Sequence, residues 1–144
     1  MERKGDNMTT ETVNMLIAKA ILAREQSYCP YSNFSVGASL LTDHGAVYTG
    51  SNIESASYTP TVCAERVAIF SAVHAGERSF SAIAIVGGKK DEFISSFCAP
   101  CGVCRQVMAE FCSPDFTIIL FDGNETKIYT LAELLPESFG PSSL

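Results

Sequence analysis

Pro100-Cys101-Gly102-Val103-Cys104-Arg105-Gln106, read with Thr61-Val62-Cys63-Ala64-Glu65-Arg66 upstream of it, decides how this chain folds. Each segment opens a helix. Pro100 suits a helix's first turn, where a missing N–H has no partner to lose, and that helix runs to about Cys112. Pro60 precedes the other helix, from about Val62 to Ala75, closed by Gly76. Between them Phe80 to Val86 is a short apolar run bounded by Gly87-Gly88, and Phe116 to Phe121 is another. Both read as buried strands.

Outward from these, Thr9 or Thr10 caps a first helix to about Gln26, with Val13, Leu16, Ile17, Ala20 and Leu22 at helical spacing. Cys29 to Asn33 form a turn. Ser35 to Thr42 and Ala46 to Asn52 read as strands joined at Asp43-His44-Gly45. Asp122-Gly123-Asn124 turns into Lys127 to Thr130, and Leu131 to Leu135 is a last helical turn before Pro136. A hairpin followed by β-α-β-α-β predicts a three-layer α/β/α domain. Its mixed sheet of about five strands is expected to be antiparallel at the hairpin and parallel afterwards. Residues 1–144 are expected to form a single domain, with residues 1–8 a flexible N-terminal extension.

The chain has 144 residues, 47% of them hydrophobic and 18% charged, as a globular protein requires. Ten Lys+Arg against 16 Asp+Glu give a formal net charge of -6. Non-specific nucleic-acid affinity comes mainly from Lys and Arg, so a small substrate fits better than a polynucleotide. No apolar run approaches the roughly 20 residues that span a bilayer, and the polar N-terminus leads into no signal-peptide core. Six cysteines without a secretory signal fit a reducing compartment, hence a cytoplasmic location.

Cys63, Cys101 and Cys104 offer three thiolates for one zinc ion. Three protein ligands leave the fourth tetrahedral position open, which marks a catalytic site. Helix N-termini carry partial positive charge and favour thiolates. Cys101 and Cys104 are i, i+3 neighbours that can reach one ion, and the same spacing sets Arg66 beside Cys63. Three thiolates over-neutralise a divalent cation, so a guanidinium donating to sulfur is expected to restore the acidity of bound water. Glu65, next to a ligand, is placed to move protons. The combination is the layout of zinc deaminases of amino-pyrimidines and amino-purines.

Plainer readings compete. Cys101-Gly102-Val103-Cys104 also suits a redox dithiol, though that leaves Cys63-x-Glu65 unexplained. A structural zinc needs a fourth ligand, for which Cys98 is nearest; His74 lies about 16 Å along its helix from Cys63. Cys29, Cys98 and Cys112 read as small buried hydrophobes. Phe34 and Phe139 also suit a core. Asn52 and Glu54 also suit a solvated strand end.

Beyond the zinc motifs, Cys29-Pro30-Tyr31-Ser32-Asn33-Phe34-Ser35-Val36-Gly37-Ala38, Gly50-Ser51-Asn52-Ile53-Glu54-Ser55-Ala56-Ser57-Tyr58 and Leu134-Leu135-Pro136-Glu137-Ser138-Phe139 carry a resemblance. The chain resembles the small, homotetrameric class of cytidine deaminases nearly end to end. The resemblance implies one zinc per subunit on Cys63, Cys101 and Cys104, with Glu65 shuttling protons during hydrolysis of cytidine or deoxycytidine in pyrimidine salvage. It implies that Asn52 and Glu54 bind the ribose and that the Ala64 backbone holds the base. Phe34, Ala56, Tyr58 and Phe139 complete the pocket, partly from neighbouring subunits. Two positions depart from the family's pattern: Ala99 replaces a common Ser, and Ser55 a common Asn. Two rivals remain at this stage, a sister deaminase of the blasticidin S type and a non-catalytic zinc-stabilised binding module.

Overall fold

Thr9 starts the first helix as expected: its hydroxyl accepts from the Thr12 N–H at 3.1 Å, satisfying one of the donors a helix start leaves free. In the computed structural model, which describes residues 8–144, this helix (α1) spans Thr10–Arg24. It is followed by β1 (Phe34–Thr42), β2 (Val47–Ser51), α2 (Ala64–His74), β3 (Phe80–Lys89), α3 (Gly102–Phe111), β4 (Thr117–Phe121), β5 (Thr126–Thr130) and α4 (Leu131–Leu134). The five strands form one sheet in the order β2-β1-β3-β4-β5. Residues 1–7 of the expected N-terminal extension lie outside the described residues. Met8 packs against the core beneath α1.

Side chains alternate across the strands, so the sheet has two apolar faces. Ala82, Ala84, Val86 and Ile119 meet Val13, Leu16, Ile17 and Ala20 of α1 on one face. Ala38, Leu40, Ile83, Ile85, Ile118 and Leu120 meet Ala64, Ala68 and Ile69 of α2 and Cys104 and Met108 of α3 on the other. These are the three layers the sequence predicts. Leu22, counted with the apolar stripe of α1, is instead 65% exposed, because it falls on the side turned away from the sheet.

Strand directions differ from expectation. β1 pairs antiparallel with both β2 and β3, β3 pairs parallel with β4, and β4 pairs antiparallel with β5. β2 and β3 run the same way, but β1 is inserted between them, so only β3 and β4 make a parallel pair. β5 turns back because the turn at Asp122 is too short to cross over; Asp122 holds it by accepting from the N–H groups of Asn124 and Glu125.

β3 also continues past its expected end, through Gly87 and Gly88 to Lys89. Gly87 is not a breaker here. A Cβ at this position would lie 2.8 Å from the Cys98 sulfur and 3.1 Å from the Phe34 ring, so the strand needs a residue without a side chain.

Both helices of the second face begin beyond the carboxyl ends of strands, α2 after β2 and α3 after β3. Gly50 lets α2 sit close: a Cβ there would come within 2.5 Å of the Ala64 carbonyl oxygen and the Ala68 nitrogen.

Candidate metal and active site

Cys63 is the residue immediately before α2, and Cys101 the residue immediately before α3. Sequence spacing placed both inside the first turn; they are the N-caps, in extended conformation, and only Cys104 lies within a helix. Neither N-cap sulfur makes a capping hydrogen bond. Instead the sulfurs turn toward each other. Cys63 Sγ lies 3.7 Å from Cys101 Sγ, which lies 3.5 Å from Cys104 Sγ, and all three sit within 4.8 Å of one another.

A tetrahedral ion with Zn–S bonds near 2.3 Å needs sulfurs about 3.8 Å apart. The cluster fits one zinc ion. Among the described residues it is also the only group of three or more potential ligands close enough to share a metal. Neither His74 nor Cys98 belongs to it, so the fourth position has no protein donor in this set.

The cluster is strongly polarised. Cys63 is pulled below the ordinary thiol range to about 5, first by the hydrogen bond from Cys104 and then by Arg66, against the opposing effect of burial. Cys104, its partner in that bond, is pushed upward. Arg66 Nη2 donates to Cys63 Sγ at 3.5 Å, as the helical spacing predicts. Glu65 is only 4% exposed. Burial pushes its carboxyl up to about 6 and the charge on Cys63 adds to this, while its own backbone N–H and Cys104 oppose.

A cleft of about 410 Å3 is lined by Tyr31, Ser32, Glu54, Ser55, Tyr58 and Thr61. Glu54 is fixed at its wall. One carboxylate oxygen accepts from the backbone N–H groups of Tyr31 and Ser32 at 3.0 and 3.2 Å, and the other from the Ser32 hydroxyl at 2.5 Å. These bonds, the Ser32 hydroxyl foremost, hold the carboxyl below its usual range. Asn52 is committed to the backbone of β1: its Oδ1 accepts from the Val36 N–H and its Nδ2 donates to the Phe34 carbonyl, both at 2.8 Å. A larger cavity of about 490 Å3 lies between α3 and the C-terminal segment, and none of the three cysteines lines either space.

A profile of the cytidine and deoxycytidylate deaminase zinc-binding region matches residues 10–120. The chain belongs to this deaminase family. A cytidine deaminase of Sporosarcina psychrophila is 45% identical over 133 residues, covering 92% of this chain and 94% of that one. One from Halalkalibacterium halodurans is 50% identical over 127 residues, covering 87% and 92%. The crystal structure of a cytidine deaminase from Burkholderia pseudomallei superposes with a TM-score of 0.81 at 44% identity, covering 92% of this chain and all of that one.

Within this deaminase fold the residues expected at the site divide into three groups. Cys63, Cys101, Cys104, Arg66 and Glu65 stand together around the sulfurs, and Ala64, fully buried, gives α2 its first N–H. Glu54 and Tyr58 share the cleft, while Asn52 and Phe34, joined to each other by a hydrogen bond, do not line it. Ala56 is exposed and does not line the cleft. Phe139 is 61% exposed, on a segment whose carbonyl accepts from Gln106 Nε2 at 2.8 Å.

Tyr31, Ser32 and Thr61 line the cleft and had no assigned role. Ser32 was legible only as part of Pro30-Tyr31-Ser32. Its use as a carboxylate holder depends on the chain folding Glu54 back over it, which no local pattern shows.

Proposed function

We propose that this protein hydrolyses cytidine and deoxycytidine to uridine and deoxyuridine with release of ammonia. The observation that carries this reading is a nearly buried carboxyl, Glu65, packed against three convergent sulfurs that fit one zinc ion. Cys63, Cys101 and Cys104 would hold the zinc, which when bound lowers the pKa of water and supplies a nucleophile at neutral pH for attack at C4 of the base.

The remaining work falls to the chain. Glu65 takes the proton from water, passes it to ring N3, and then delivers a proton to the departing amine. A carboxyl raised to about 6 is suited to this, because both its forms are accessible near neutrality. Arg66 tunes the charge on the sulfurs. Asn52 and Glu54 bind the ribose hydroxyls, Asn52 with the donor and acceptor capacity its β1 bonds leave over. The Ala64 backbone holds the base, Tyr58 lines the cleft, and Phe34, Ala56 and Phe139, which do not line it within one chain, complete the pocket in the assembly, partly from neighbouring subunits.

Glu54 also favours nucleosides over nucleotides. Its carboxylate, held ionised by Ser32 and Tyr31, faces a cleft whose lining contains no lysine or arginine among the described residues. A 5′-phosphate entering there meets like charge without compensation.

The same reading includes a homotetramer whose sites are completed by neighbouring subunits. Tyr31, Tyr58 and Phe139, 53%, 74% and 61% exposed, support it, because such rings are better covered in an assembly. It also includes a place in pyrimidine salvage in the cytoplasm, in keeping with six free cysteines.

The deciding experiment follows ammonia release from cytidine, deoxycytidine and cytidine 5′-monophosphate by the zinc-loaded protein, with the product confirmed as uridine or its deoxy form. Turnover of the two nucleosides and not the nucleotide supports the proposal. Folded, zinc-loaded protein that turns over neither nucleoside rejects this substrate and points to a sister aminopyrimidine such as blasticidin S.

A further inference from the structure

Arg105 and Gln106 directly follow the last cysteine of the cluster. The Arg105 backbone N–H donates to the Cys101 carbonyl at 3.0 Å, as the first turn of α3 requires. Its side chain then reaches back: Nε donates to the Pro100 carbonyl at 2.7 Å. Arg105 therefore grips both peptide carbonyls that flank the Cys101 Cα.

The same guanidinium has a second target. Its Nη1 donates to the Leu134 carbonyl at 2.7 Å. Leu134 is the last residue of α4, so that carbonyl belongs to the set a helix end leaves without an internal partner. One residue further on, Gln106 Nε2 donates to the Phe139 carbonyl. Two neighbouring side chains thus join the cysteine loop to the C-terminal segment at two points. A planar guanidinium presents donors in a rigid fork that can satisfy two fixed carbonyls at once. A lysine ammonium, a point charge on a flexible stem, does not reproduce that geometry.

We propose that Arg105 is a positioning residue that sets the zinc loop and the C-terminal segment in one register, with Gln106 extending the same strap to Phe139. Metal retention and substrate affinity then depend on one side chain. The substrate half of this inference rests on the reading of Phe139 given above. The metal half does not.

The test compares the zinc-loaded wild type with Arg105→Lys and Gln106→Met. Zinc affinity is measured by competition with a chromophoric chelator, cytidine kinetics are separated into kcat and KM, and thermal unfolding checks the fold. Arg105→Lys is expected to weaken zinc binding about ten- to a hundredfold, the usual cost of disturbing groups that orient metal ligands, and to raise KM more than it lowers kcat. Gln106→Met is expected to raise KM severalfold with zinc affinity unchanged. A role confined to stability lowers the unfolding temperature without moving zinc affinity below it.

A folded Arg105→Lys that keeps wild-type zinc affinity and KM overturns the proposal. Should Arg105→Lys not fold, Gln106→Met decides, and an unchanged KM overturns it. If the wild type does not turn over cytidine, the proposed substrate fails, while the zinc competition still decides the role of Arg105.

Discussion

Arg66 sets its Nη2 3.5 Å from Cys63 Sγ while its Nε is buried without a hydrogen-bond partner among the described residues. Burying a guanidinium donor unpaired costs free energy, so the side chain is held by what it does for the sulfur. Replacing Arg66 with Gln is expected to leave zinc bound but remove the charge that offsets three thiolates. Bound water then becomes less acidic, and the profile of kcat/KM against pH moves to higher pH by on the order of one unit. A superimposable profile with zinc in place removes Arg66 from the electrostatics of the site.

Glu65 supports two predictions at one position. Glu65→Gln keeps the shape and removes the proton shuttle, so cytidine turnover should fall by about 10²–10⁴-fold while zinc stays bound. Stability should move the other way. Burial raises the folded pKa from 4.5 to about 6, so between these values the folded chain binds the proton more tightly than the unfolded chain. Stability then declines as pH rises through that window, and the full penalty, about 2 kcal/mol, is present at neutral pH. Metal-free Glu65→Gln should accordingly be more stable than the metal-free wild type at neutral pH, with the gap closing below pH 4.5. Equal denaturant midpoints at neutral pH would contradict the assignment.

Gly50 controls how closely α2 approaches the sheet. In Gly50→Ala the new methyl meets the backbone of Ala64 and Ala68, which cannot rotate away. The expected cost is about 1–3 kcal/mol. Because the displaced turn carries Cys63 and Glu65, zinc affinity should fall along with the unfolding temperature. A variant that loses stability but binds zinc as tightly as the parent would show that the turn is not held from below.

Cysteine chemistry distinguishes the sulfurs once zinc is stripped. Cys63 is half-buried and held near 5 by Cys104 and Arg66, whereas burial pushes Cys98 up to about 11. Iodoacetamide at neutral pH should therefore modify Cys63 well before Cys98. Peptide mapping after brief alkylation reads the order directly. Equal labelling of the two would exclude the polarised cluster.

Much of this arrangement was legible in the chain because its signals are local. Cys101 and Cys104 announce themselves by spacing, Cys63 and Glu65 by adjacency, and Arg66 by a helical turn. Features that depend on distant segments were hidden. Gly87 reads as a boundary until Cys98 is seen pressing on the strand. The direction of β3 relative to β1 follows from where β1 inserts, which no window of sequence contains. Cys63 and Cys101 sit one position before their helices, a distinction set by backbone dihedrals rather than by residue type. Asn52 looks like a free polar group, yet its amide is bonded to β1 because Phe34 and Val36 lie across from it.

The two N-cap sulfurs, neither of which caps its own helix, carry a thermodynamic consequence. Cys63 and Cys101 stand 38 residues apart in sequence, and one ion bridging them closes that stretch into a loop. In chain-entropy terms this acts as a cross-link would, removing about 4 kcal/mol of freedom from the unfolded ensemble. The α2–β3 segment is then threaded between fixed ends, and the starts of two helices become one cooperative unit. Removing the ion should thus return that freedom to the unfolded chain and loosen the two helix starts together.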